Sequence, residues 1–226
     1  MHIGPLLGSG RTADMYELDG PWVLRRYRDG TDATGELAVM SYLSASGYPV
    51  PRIGPPADGA LPTDLVLQRL TGPTLAEALL AGSLTAAEGA GVLAGLLREL
   101  HSIPSRLSQD PEHRILHLDL HPENVILSPE GPRVTDWLTA AEGPPALDRA
   151  MSALILAQLA LAPSLPAEAP VRDLLAALLS GFGADGGVPA EALARATTLR
   201  GTDPRLTAGE RAVLDEAACM VAGLTR

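Results

Sequence analysis

The chain has 226 residues, 46% of them hydrophobic and 19% charged. That is enough for one domain with a sizeable core, or for two lobes sharing an interface, and it excludes a disordered tail. The formal net charge of −10 is spread along the sequence without a basic stripe, so nothing marks a nucleic-acid groove.

The 17 basic residues counted as Lys and Arg are all arginines, which excludes a Walker A P-loop and lysine Schiff-base chemistry. One cysteine, Cys219, leaves no internal disulfide and no multi-cysteine zinc site, and its expected place is the core, as a small hydrophobe. MHIGPLLGSGR at the start lacks a basic segment ahead of its apolar residues. The most apolar stretch, Ala153 to Ala162, is too short to cross a bilayer. The expectation is a soluble cytoplasmic protein with no membrane partner.

In chain order, Leu6 to Gly10 leads into a tight turn and Ala13 to Leu18 returns from it. Trp22 to Tyr27 forms a third strand between Gly20-Pro21 and Asp29-Gly30. Glu36, Val39, Met40 and Leu43 recur at helical spacing up to Gly47. Leu65 to Leu67 is a fourth strand candidate, followed by the connector Thr71-Gly72-Pro73. From Thr74 onward the pattern is helical. Thr85-Ala-Ala-Glu88 and Thr207-Ala-Gly-Glu210 have the form of capping boxes, the second ahead of the last helix. The segments 54–62 and 181–189 have the composition of surface loops. The sketch is an α+β chain with a β-rich lobe over 1–67, a hinge over 68–73 and an α-rich lobe over 74–226, which carries one hairpin formed by Val125 to Leu127 and Arg133 to Thr135.

Residues 117–127 read HLDLHPENVIL. Val125, Ile126 and Leu127 form a short buried strand, so the polar residues sit on the loop leading into it. A plain turn built on Pro122 and Asn124 would account for the loop alone. A tight hairpin, however, would also bring Asp136 close to Asn124. Two hard oxygen ligands that leave coordination positions open suit Mg²⁺ with substrate phosphates, and phosphoryl transfer is the chemistry that follows.

At this point the sequence resembles the protein-kinase-like superfamily, in its aminoglycoside phosphotransferase and choline kinase branch. The kinase catalytic loop H-R-D-x-x-x-x-N stands here as His117-Leu-Asp119-Leu-His-Pro-Glu-Asn124. Leu120-His121-Pro122 and Asp136-Trp137 have the forms common in the small-molecule branch. The resemblance runs from Leu7 to about Asp148 and fades beyond. It implies a two-lobed kinase-like fold with a small antiparallel N-lobe and a larger α-helical C-lobe. It also implies Asp119 as catalytic base, Asn124 and Asp136 as Mg²⁺ ligands, and His117 as a brace.

For the nucleotide, ATP or GTP, the resemblance implies that Gly8, Ser9 and Gly10 approach the phosphates, although Ala13 replaces the third glycine. Arg25 would take the place of the phosphate-binding lysine, with Glu36 as its partner. Alternation along the strand sends Arg25 and Arg26 to opposite faces, so only one of them can serve. Gln68, Arg69 and Leu70 would hold adenine at the hinge.

Two rival readings differ in class. A metallohydrolase would use His117, Asp119 and His121 as ligands, but it leaves Asn124, Asp136 and Arg25 unexplained. A non-catalytic nucleotide-binding module would suit the altered glycine turn, but not the presence of base and metal ligands together. The acceptor expected is a small hydroxylated molecule, and the acidic chain is compatible with a cationic one.

Overall fold

The computed structural model describes residues 1–162, 168–183 and 187–225. It divides into two compact units, each discontinuous in sequence. The first comprises Met1–Gly72 with Ile126–Leu138, and the second Pro73–Val125 with Thr139–Arg226. The expected division into 1–67, 68–73 and 74–226 differs chiefly in that residues 126–138 belong with the first unit.

The first unit is built on a four-stranded antiparallel sheet in sequential order: β1 (Ile3–Ser9), β2 (Ala13–Leu18), β3 (Trp22–Tyr27) and β4 (Asp64–Gln68). Side chains alternate across β3. Leu24 joins Leu18, Ala57 and Val66 in a buried cluster edged by Trp22, Tyr16, Ile3 and Met1. The opposite face carries Val23, Arg25 and Tyr27, all buried.

Helix α1 (Thr34–Ala45) buries Glu36, Met40 and Leu43, positions four and then three apart on one stripe. Gly72 closes this part of the chain at φ +121°, and a Cβ there would lie 2.2 Å from the Leu127 carbonyl oxygen, so only glycine fits. Residues 131–138 return to the same unit. Val134 N–H donates to Pro49 O at 2.8 Å, and buried Trp137 meets the Tyr48 ring edge-on at 5.6 Å.

The second unit is helical: α2 (Leu75–Leu80), α3 (Ala86–Leu100), α4 (Pro145–Leu161), α5 (Glu168–Gly181), α6 (Ala190–Thr202), α7 (Ala208–Ala212) and α8 (Leu214–Leu224). Capping boxes start α2 from Thr74, α3 from Thr85 and α7 from Thr207. The Thr207 box therefore opens a five-residue helix and not the last one, because the chain breaks helical geometry at Val213 before α8. Helix α4 is the centre of the unit. It packs on α5, α6 and α8 and is buried on nearly every side, which explains why its sequence is largely apolar.

Two strands escaped the sequence pattern, β5 (Arg114–Leu116) and β8 (Ala141–Gly143), which pair antiparallel. Between them, β6 (Val125–Ser128) and β7 (Gly131–Val134) form the expected hairpin. Cys219 is exposed, contrary to the core position expected of it. Helix α8 buries Leu214, Ala217 and Val221, and Cys219 lies off that stripe. Of the expected loop 181–189, residues 184–186 lie outside the described residues. Among the described residues no helix is long and apolar enough to cross a membrane.

Candidate active site

In the first unit, β3 and α1 bring Arg25 and Glu36 together. Arg25 Nη1 donates to Glu36 Oε1 at 3.1 Å, and Arg25 Nη2 donates to Asp136 Oδ1 at 2.8 Å. Burial alone would lower the Arg25 pKa, but the charges of Glu36 and then Asp136 raise it above the usual arginine value. Glu36 is itself 3% exposed and is held by three donors: Arg25, the Tyr27 hydroxyl and the Trp137 backbone N–H at 2.9 Å. Burial and the Glu36 charge push the Tyr27 phenol well above its ordinary range, so it stays protonated and donates. Asp136 sits at φ +63°, a conformation uncommon outside glycine. Arg26 points the other way, in a bidentate pair with Asp64 at 2.7 Å for both contacts.

The glycine turn closes on itself. Gly10 N–H donates to Ala13 O at 2.8 Å, while Arg28 donates to Gly10 O, Arg11 O and Asp14. Hydrogen bonds from Ser9 and Arg28 hold the Asp14 carboxyl below its usual range. At the expected hinge, Gln68 accepts from Arg52 Nε at 3.2 Å. Arg69 pairs with Glu17 at 2.9 Å, and its N–H donates to Pro21 O. The Arg69 amide is thus already used within the protein. Leu70 is half-buried.

In the second unit, the loop after β5 is fixed from beneath by Asp148 on α4. This fully buried carboxylate accepts from His117 N–H at 3.0 Å and from Leu118 N–H at 2.7 Å, and it lies 2.9 Å from His101 Nε2. Burial pushes its carboxyl up, but the His101 contact and the His117 N–H pull it further down, below the usual aspartate range. Leu118 adopts φ +61°, a conformation such a side chain reaches only where its surroundings over-determine it. The next residue is Asp119, whose N–H donates to His117 Nδ1 at 3.2 Å. His117 is buried and Thr139 donates to its carbonyl, so it is a brace within the loop.

Asn124, in the single 3₁₀ turn Pro122–Asn124, donates through Nδ2 to the Asp119 carbonyl at 2.9 Å and faces His121 Nε2 at 3.2 Å. A carbonyl acceptor requires the NH₂ group on that side, so the amide orientation is fixed and Oδ1 is the oxygen Asn124 can offer a cation. His121 Nε2 then acts as acceptor and the ring proton sits on Nδ1. Burial lowers the His121 pKa below 6.5, in keeping with a neutral ring.

Asp119 also meets an arginine from the far end of the sequence. Arg200 on α6 donates from Nη1 to Asp119 Oδ1 at 3.1 Å and from Nε to Gln158 Oε1 at 3.1 Å. Gln158 is oriented in turn by donating Nε2 to Glu210 O at 2.7 Å. Sequence patterns did not disclose Asp148, Arg200 or Tyr27 as members of these clusters. The one available signal was Gln158, a polar residue interrupting ALILAQLALA, which a buried helix keeps only when it is hydrogen-bonded.

A family model described as "Phosphotransferase enzyme family" matches residues 4–114 and 55–190. No curated protein sequence matches. Among solved structures, ADP-bound aminoglycoside phosphotransferase APH(2'')-Ib is 13% identical with a TM-score of 0.60, covering 100% of this chain and 93% of its own. Amicoumacin kinase hAmiN, in complex with AMP-PNP, Ca²⁺ and Ami, is 15% identical with a TM-score of 0.57 over 99% of this chain and 88% of its own. A choline/ethanolamine kinase family protein from Mesorhizobium loti is 15% identical with a TM-score of 0.56, covering 98% and 88%. These likenesses establish a kinase-like α+β fold. Among the described residues no group of three or more His, Cys, Asp and Glu is placed to hold a metal as a metallohydrolase would.

Proposed function

Because the chain belongs to the phosphotransferase enzyme family, we propose that it transfers the γ-phosphate of ATP to a hydroxyl of a small molecule, with Asp119 as the base that takes the hydroxyl proton. The observation that carries the assignment is the brace beneath the loop. Asp148 accepts two consecutive backbone N–H groups, from His117 and Leu118, and holds Leu118 in a left-handed conformation immediately before Asp119. A base must be held in place to act, and strain maintained beside it is the expected signature of such a position.

The first unit supplies a candidate phosphate contact. Arg25 is a planar donor that matches phosphate oxygens, and Glu36 fixes its direction. The oxygen donors of Asp136 and Asn124 suit Mg²⁺, a hard cation that binds carboxylate and amide oxygens. When bound, Mg²⁺ would neutralise charge developing on the transferred phosphoryl group. Asn124 also carries a second task within its own unit, tying the Asp119 carbonyl through Nδ2. The kinase family uses ATP with Mg²⁺, and amicoumacin kinase hAmiN was solved with AMP-PNP and Ca²⁺.

The test is a panel of hydroxylated small molecules incubated with ATP, Mg²⁺ and the protein, read as a mass gain of one phosphate. Turnover on at least one acceptor that is lost in Asp119→Asn supports the reading. Nucleotide binding with neither acceptor turnover nor slow ATP hydrolysis would instead favour a non-catalytic module.

A further inference from the structure

We propose that Arg200 makes the acceptor site select a hydroxylated molecule carrying an anionic group, in the simplest case a hydroxy acid, over a polycation. The proposal rests on Asp119 being the acceptor-side base. Its ground is the arrangement within the second unit. The Arg200 side chain is 10% exposed and that of Asp119 19%, so each presents only an edge to a small molecule.

Arg200 is aimed rather than free to swing away. Its Nε is held by Gln158, itself 3% exposed, and Gln158 is fixed by the Glu210 carbonyl. Glu210 in turn closes the capping box of α7 with Thr207. Nη1 donates to Asp119, whereas Nη2 makes no hydrogen bond among the described residues and only a long ion pair with Glu210 Oε1 at 4.0 Å.

An acceptor bearing an ammonium group beside its hydroxyl would have to bring that charge to a carboxylate already paired with a guanidinium. Like charges so placed repel, and the carboxylate that would attract the amine is half-neutralised. A carboxylate on the acceptor meets the opposite situation, because the planar donor edge at Nη2 suits one of its oxygens. Around this point three arginines, Arg200, Arg205 and Arg211, stand with three carboxylates, Asp119, Asp203 and Glu210. A site for polyamines would instead need an acidic surplus.

The experiment uses the full chain with two probes of matched skeleton, glycerate and 3-aminopropane-1,2-diol, together with the aminoglycoside kanamycin. Two readouts are taken: kcat/KM for ATP-dependent phosphate transfer, and the ¹⁵N-resolved Arg200 Nε–H resonance during titration of each probe without nucleotide. The expected result is at least about tenfold higher kcat/KM for glycerate than for either amine. The Arg200 resonance should move with glycerate alone, and Arg200→Gln should reverse or erase the preference. A preference for either amine in the wild type, an Arg200 resonance indifferent to glycerate, or an unchanged ratio in a folded Arg200→Gln would overturn the proposal. Should Arg200→Gln fail to fold, the two wild-type readouts decide. If no acceptor is phosphorylated but the Arg200 resonance still follows glycerate, the phosphotransferase reading fails while the anion selectivity stands.

Discussion

The two ionic clusters of this protein hold their arginines differently. In the first unit a buried arginine, Arg25, lies between two carboxylates, Glu36 at 3.1 Å and Asp136 at 2.8 Å. In the second, Arg200 meets one carboxylate closely, Asp119 at 3.1 Å, with Glu210 Oε1 further out at 4.0 Å, and is held from behind by the neutral amide of Gln158. Asp136 is the more exposed of the two carboxylates in the first cluster, with 32% of its side chain open, whereas the Glu36 side chain is fully buried. In the second cluster the close contact is single, so the direction of the Arg200 hydrogen bonds fixes its geometry.

The largest effect is expected at the carboxylate beneath the loop. Asp148→Ala removes a buried acceptor of three donors and leaves His101 without its carboxylate. The expected loss is about 3–5 kcal/mol of stability, read by urea denaturation. A loss below about 1 kcal/mol would show that the second unit does not depend on this carboxylate.

Next in size, Asp119→Asn should lower turnover by at least about a hundredfold while leaving Mg-ATP affinity close to wild type. Near-normal turnover would remove Asp119 from the chemistry.

The first cluster is sharpened by its two neighbouring arginines. Arg25→Ala should weaken ATP binding by about ten- to a hundredfold in calorimetry, on the order of 1.5–3 kcal/mol for a charge-assisted contact. Arg25→Lys should recover part of this. Arg26→Ala, which loses its pairing with Asp64 and its stacking over Tyr16 on the other face of β3, should leave affinity nearly unchanged. Equal effects of the two alanine variants would mean that the faces of β3 do not separate these functions.

The smallest effect is a pH dependence confined to the second unit. The folded His121 pKa lies below 6.5, so the stability drawn from its neutral form is complete above that value. It is lost as pH falls from 6.5 toward the lower folded value, because the unfolded chain takes up the proton first. Asp148 behaves differently: its contribution is present above 3.8 and disappears only as pH falls through its still lower folded value. Urea midpoints followed downward from pH 6.5 should therefore fall more steeply in the wild type than in His121→Asn. Parallel curves would contradict the neutral assignment.

Much of this was legible in the sequence wherever chemistry is local. The strands over 13–18 and 22–27, the Thr85 capping box and the loop from His117 to Asn124 declare themselves through contiguous residues. The opposition of Arg25 and Arg26 follows from strand alternation alone. What stayed hidden was non-local. Arg200 reaches Asp119 across 81 positions, and nothing near it in sequence distinguishes it from other helical arginines. Strands β5 and β8 have three residues each, too few to display a period. Cys219 was misplaced because average burial of its residue type says nothing about helix phase, and the stripe through Leu214, Ala217 and Val221 leaves it outside.

The order in which the chain leaves the ribosome also matters for the first unit. Its initial 72 residues emerge without the Ile126–Leu138 segment, which arrives only after the first part of the second unit has been made. At about 5–20 residues per second that is a delay of several seconds. During it, Tyr48 lacks the indole of Trp137, Glu36 lacks the Trp137 amide, and Arg25 has one carboxylate instead of two. The nascent sheet therefore waits with part of its core open and its buried arginine incompletely compensated, which makes this interval the one in which the growing polypeptide most needs protection from aggregation.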